Sequence, residues 1–175
     1  MEMVHSIEKV MEKWFKQLPF HLPEKARVWL GKNVWWIVIV GVVLSAWSII
    51  SSLRALFWAD AFLQQAREFA AAMGVSIPNS SLADVALWVS IITFAVSILI
   101  EALAINPLKV MKKKGWDLLL AAMIVSVVGS LVSSLINGAI VGAIIGTVLG
   151  VAIGGFFLFE IRGQFVAAKP AKDKK

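Results

Sequence analysis

The chain has 175 residues, of which 59% are hydrophobic and 16% charged, and its formal net charge is +6. A mean hydropathy of +0.84 excludes a disordered chain and argues against a soluble domain, which needs polar residues to cover its surface. Cysteine is absent, so disulfides, thiolate metal sites and thiol nucleophiles are excluded.

The first 18 residues carry too much charge to cross a bilayer, yet they are periodic. Val4, Ile7, Met11, Trp14, Phe15 and Leu18 recur at three- and four-residue steps, which predicts a helix with one apolar face. Lysines and glutamates occupy much of the rest, and Glu8 with Glu12 form a like-charge pair at four-residue spacing. Residues 1–32 therefore read as a cytoplasmic leader holding an amphipathic interfacial helix, with Trp14 and Phe15 in contact with the lipid surface. Docking on a partner, or on the loop after the second span, is the alternative. Pro19 and Pro23 end this helix.

A helix needs about 20 apolar residues to cross roughly 30 Å of hydrocarbon. Four segments qualify: residues 34–53, 85–104, 118–136 and 139–159. They predict an all-α transmembrane domain over residues 33–165, built as an integral membrane four-helix bundle. Residues 54–84 form a helical connection that either extends helix one or lies in the outer interface. Its end is marked by a turn and by Ser81 with Asp84, spaced like a capping box that starts helix two. Residues 105–117 form a basic loop, and residues 166–175 a basic tail.

Basic residues near spans favour the cytoplasmic side. Of the 17 Lys and Arg, only Arg54 and Arg67 fall between spans one and two; the rest share the other side. Both termini are thus expected in the cytoplasm and the chain in a cytoplasmic (inner) membrane. Lys112, Lys113 and Lys114 are then candidates for contact with anionic lipid head groups rather than nucleic acid.

Small residues form a column on each span, and such columns mark helix contacts in lipid. Helix two has Ala86, Ser90, Thr93 and Ser97, and the next step is Glu101. Helix three has Ser126, Gly129, Ser130 and Ser133. Helix four has Gly138, Gly142, Gly146, Gly150 and Gly154 at an unbroken four-residue spacing, a continuous smooth groove. The short Asn137-Gly138 turn makes helix three its expected partner, with a second copy of the chain as the other.

Ionisable residues in mid-bilayer are costly and usually functional. Here the centres of the four spans hold none; Glu101 lies near the cytoplasmic end of its span and, with Ser97 and Thr93 on its column, is the best polar candidate, read otherwise as a carboxylate reaching Lys109 or Lys112–Lys114. His5 and His21 are separated by a helix and a proline and make no metal site. No catalytic set, phosphate loop or cofactor motif is visible.

Residues from Lys113 to Phe165, with Gly115-Trp116, the glycine repeat and the Phe-Glu-Ile-Arg exit, resemble the C-terminal hairpin of small uncharacterised bacterial four-helix inner-membrane proteins. That resemblance implies a multi-pass membrane protein and assigns no site residue. The expected function is non-enzymatic: an accessory, scaffold or envelope-organising component working through helix packing with other membrane proteins or with itself. A small channel, holin-like pore or transporter subunit is the alternative.

Overall fold

A computed structural model describes residues 2–74, 81–138 and 140–166. The turn at 75–80, the side chains of the capping pair Ser81 and Asp84, and the basic tail from residue 167 lie outside the described residues. Among the described residues all regular structure is helical: α1 (Glu2–Lys16), α2 (Glu24–Ala72), α3 (Ser81–Lys109), α4 (Lys113–Asn137) and α5 (Ile140–Val166). Four stretches are long and apolar enough to cross a membrane: Glu24–Arg54, Val85–Lys109, Lys113–Ile136 and Ile144–Phe165.

The helices decide one boundary that the sequence left open and move another. First, α2 is one helix of 49 residues, about 74 Å at 1.5 Å per residue, where a bilayer core needs about 30 Å. Residues 54–72 are thus the continuation of the first apolar span and not a separate element lying across the outer end. No glycine or proline interrupts the chain between Gly41 and Gly74, so nothing breaks the helix where the apolar run stops. Second, the basic loop expected at 105–117 shrinks to a turn. α3 runs on through Pro107 to Lys109 and α4 starts at Lys113. Pro107 falls in the last turn, and α3 ends two residues beyond it. Met111 takes a left-handed φ of 53°, and the Lys112 amide donates to the Pro107 carbonyl at 2.9 Å. At the opposite end Gly138 adopts φ 70° and caps α4 through its amide, which donates to Ser134, the usual left-handed glycine stop.

The four long helices pack as a cycle. α3 lies against α4 most extensively, α2 against α3, α5 against α4, and α2 touches α5. The α2 and α4 backbones do not approach each other closely, nor do those of α3 and α5, among the described residues. The tightest packing is at the end where α1 sits. Ala104, Leu108, Trp116, Leu120, Leu158, Ile161 and Phe165 form the buried cluster there, and the Trp116 Nε1–H donates to the Leu158 carbonyl at 2.7 Å.

α1 is docked on this end rather than lying free of the other helices. Phe15 stacks on Phe159 with ring centroids 5.1 Å apart and occupies the space over Gly155, where a Cβ would come within 2.7 Å of its ring. Trp14, by contrast, is 73% exposed. The Glu8–Glu12 pair has a use that local spacing does not reveal: both carboxylates bind one guanidinium. Arg162 donates from Nε and Nη2 to Glu8 (3.0 and 2.8 Å) and from Nη1 to Glu12 (2.7 Å). Lys113 adds a second cation 3.6 Å from Glu8 while bonding Asp117 at 2.7 Å. Glu160 binds His21 at 2.6 Å and accepts the Leu22 amide at 3.1 Å, which fixes the linker between α1 and α2.

Candidate functional site

A cycle of four helices whose diagonal backbones stay apart leaves space along its middle. Toward the α1 end that space is a cavity of about 720 Å³, reached by all four helices. α2 contributes Leu30, Val34 and Ile37; α3 contributes Glu101; α4 contributes Leu119, Met123, Ser126, Val127 and Ser130. α5 supplies Gly146, Thr147, Gly150, Val151, Gly154 and Phe157. Toward the other end a cavity of about 420 Å³ lies between α2, α3 and α4, lined in part by Ser52, Ser90, Thr93, Gly129, Ser133 and Ser134. Ser126 and Ser130 line both.

The candidate residues separate into two groups. Ser97, Thr93, Ser126, Gly129 and Ser133 are used in joining α3 to α4. Ser126 donates to Ser97 at 2.9 Å, and Ser97 is also within 3.0 Å of the Thr93 carbonyl. The Ser90 and Ser133 hydroxyls lie 2.6 Å apart, and both reach the Ala86 carbonyl at 2.9 and 3.0 Å. Gly129 is the point of closest approach, since any Cβ there would overlap Thr93. The small face of α4 is therefore turned to α3, and the glycine face of α5 is not its partner.

α5 still lies beside α4, as the short turn implied; what departs from expectation is the face that α4 presents to it, and the cause is chemical. A buried hydroxyl in an apolar setting needs a hydrogen-bond partner. The serine and threonine column of α3 supplies partners, whereas a glycine column has no side-chain donor or acceptor. Around Gly142, Gly146 and Gly150 a Cβ would meet nothing within 4 Å, and at Gly154 it would only graze the Met123 sulfur at 4.0 Å. Gly146, Gly150 and Gly154 instead form part of the wall of the larger cavity.

Glu101 belongs to that cavity and is its single ionisable lining residue. Among the described residues it has neither an ion pair nor a hydrogen bond. The lysines expected to receive it are turned elsewhere. Lys109 sits 4.8 Å above the Trp35 ring, Lys113 is held by Asp117 and Glu8, and Lys112 and Lys114 are exposed. A second polar atom is also unsatisfied: Thr147 Oγ1 is buried without a hydrogen-bond partner. Sequence reasoning missed Thr147, which looked like one more small residue beside the glycines. It also missed the Arg162 clamp, for which an arginine just past an apolar run was the available signal.

A further surface runs along α2, from within the apolar span to the aromatics beyond Arg54. Trp36, Trp47, Trp58 and Phe69 stand at every eleventh position of α2. Eleven residues make three helical turns to within about 20°, so the four rings share a face. They are 42%, 65%, 78% and 70% exposed. Phe62 and Met73 join the same face beyond Arg54 and are also exposed. Compared with known protein families, curated proteins and solved structures, the chain matches none.

Proposed function

We propose that the chain is a non-enzymatic multi-pass protein of a bacterial cytoplasmic membrane, an accessory or scaffold component that works through helix packing. The observation that carries this reading is the aromatic face of α2, which continues past the apolar span. Within a bilayer, exposed rings need no explanation beyond lipid. Beyond Arg54, Trp58, Phe62, Phe69 and Met73 have no lipid core to face, and contiguous apolar surface of that kind marks an interaction site. An apolar repeat of eleven residues suits packing against a helix of the same period in a right-handed supercoil. A second copy of α2 supplies such a helix, so self-association is the form of packing proposed.

Four apolar helices support the membrane placement. Lys109, Lys112, Lys113, Lys114 and Arg162 gather at the α1 end, which fits that end facing the cytoplasm, with Lys112 and Lys114 free for anionic head groups. Single cysteines test the α2 interface in native membranes, because the chain has none of its own. Gln65→Cys lies on the aromatic face and is expected to cross-link into a dimer, while Leu63→Cys, well around the helix, is not. Absence of cross-linking at residue 65, with a monomer in mild detergent, overturns self-association through α2.

The second reading is a small channel or transporter subunit, favoured by two cavities that share Ser126 and Ser130 in their walls. Ion or solute flux from proteoliposomes decides it, and release no faster than from empty vesicles removes it.

A further inference from the structure

The larger cavity combines three features that helix packing does not use. Its volume is about 720 Å³, inside the range of about 300–1,000 Å³ typical of small-molecule sites. Its walls are apolar apart from Glu101 and the hydroxyls of Ser126, Ser130 and Thr147. Glu101 stands eight residues inside the end of α3 at Lys109, about 12 Å along the helix, and among the described residues no cation pairs with it. Thr147 Oγ1, buried and unpartnered, belongs to the opposite wall.

The charge pattern selects the occupant. A carboxylate in apolar surroundings is costly unless a positive group meets it, and the lining contains one acid and no base. An anion would add repulsion. A strongly hydrated metal ion would find one carboxylate and a few hydroxyls, too few hard ligands to replace its water. An apolar molecule with one positive charge satisfies both walls and charge. We propose that the cavity between the four helices binds a lipophilic monovalent cation, an amine or quaternary onium with an apolar body, whose charge is met by Glu101. Gly146 and Gly150 then have a purpose other than helix contact: lacking side chains, they leave the room that the apolar body fills. The site needs only α2 to α5, and it stands whether or not α2 self-associates or the cavities conduct.

The test uses the full chain in phosphatidylcholine nanodiscs, with labelled tetraphenylphosphonium as probe and equilibrium dialysis as readout. Saturable binding near one probe per chain is expected, absent from empty nanodiscs. Glu101→Gln is expected to weaken it at least tenfold, and Gly150→Phe, which fills the cavity and leaves the carboxylate in place, to abolish it. Tetraphenylborate, an anion of the same shape, should not compete. Uptake equal to empty nanodiscs, unchanged affinity in Glu101→Gln, or equal competition by tetraphenylborate each overturns the proposal. The last of these would mark a merely apolar pocket, of the kind a lipid chain fills. Should either variant fail to fold, the native chain answers alone. A hydrophobic carbodiimide should label Glu101, and tetraphenylphosphonium should slow that labelling severalfold by mass spectrometry; unprotected labelling overturns the site.

Discussion

Arg162 shows how one residue can fix the position of a whole helix. Its guanidinium holds Glu8 and Glu12 together, and Glu8 is only 4% exposed. Removing a partner from a buried pair leaves the other charge stranded, which typically costs about 3–5 kcal/mol. With Lys113 still 3.6 Å from Glu8 and Arg162 partly exposed, Arg162→Leu is expected to lose roughly 2–3 kcal/mol, below that range. Denaturant unfolding in detergent measures the loss, and faster tryptic cutting at Lys13 would report α1 coming away. Unchanged stability and cutting would mean that α1 is held by its aromatic contacts alone.

The glycines give a second test at this scale. Gly129→Leu would drive a side chain into Thr93, and overpacking of this kind costs about 1–3 kcal/mol. Gly146→Leu meets open space and gains up to about 1 kcal/mol in helix propensity. Thermal unfolding should separate the two variants clearly. Equal destabilisation would show that the glycine face of α5 is packed after all.

At the scale of elements, helix existence was readable and the choice of contact faces was not. Length and apolarity alone located all four long helices, because crossing hydrocarbon demands both. The run of five glycines at one spacing was the strongest pattern in the chain, yet the closest helix contact formed elsewhere. Small columns on every helix are mutually compatible in shape, so shape could not choose among them. Hydrogen bonding did, through the pairs Ser97–Ser126 and Ser90–Ser133. The candidate site was half legible for the same reason. Glu101 stood out as an acid in an apolar run, whereas its setting depended on where α5 lay.

The extent of α2 was hidden differently. Apolarity ends near Leu53, and beyond it Ala, Leu, Gln and Glu are good helix formers that suit an extended helix and a separate interfacial one equally well. The consequence is measurable. Spin labels at Trp36→Cys and Phe69→Cys should lie about 50 Å apart, 33 residues at 1.5 Å each. A distance well under 40 Å would mean that the segment past Arg54 folds back.

At the scale of the whole molecule, packing is uneven. The buried cluster from Ala104 to Phe165 collects at the α1 end, where the clamp, the stacked rings and the short α3–α4 turn coincide. The first turns of α5 are open, with Val141, Ile144, Ile145 and Val148 all exposed. Regions with few buried contacts open at lower free energy. Amide exchange in detergent is therefore expected to be slowest over residues 104–120 and 158–165 and faster over 141–150. A uniform profile would argue that α5 is closed along its whole length.

The uninterrupted course of α2 couples two distant parts of the molecule mechanically. Its near end forms one wall of the central cavity through Leu30, Val34 and Ile37, and its far end carries Phe69 in the projecting segment. Some 35 residues, or about 52 Å, separate Val34 from Phe69, with no proline between them and Gly41 as the single glycine. A stiff rod of that length acts as a lever. Tilt imposed at the tip by whatever grips the aromatic face is carried down the shaft to the cavity wall, and a guest wedged against that wall pushes back on the tip.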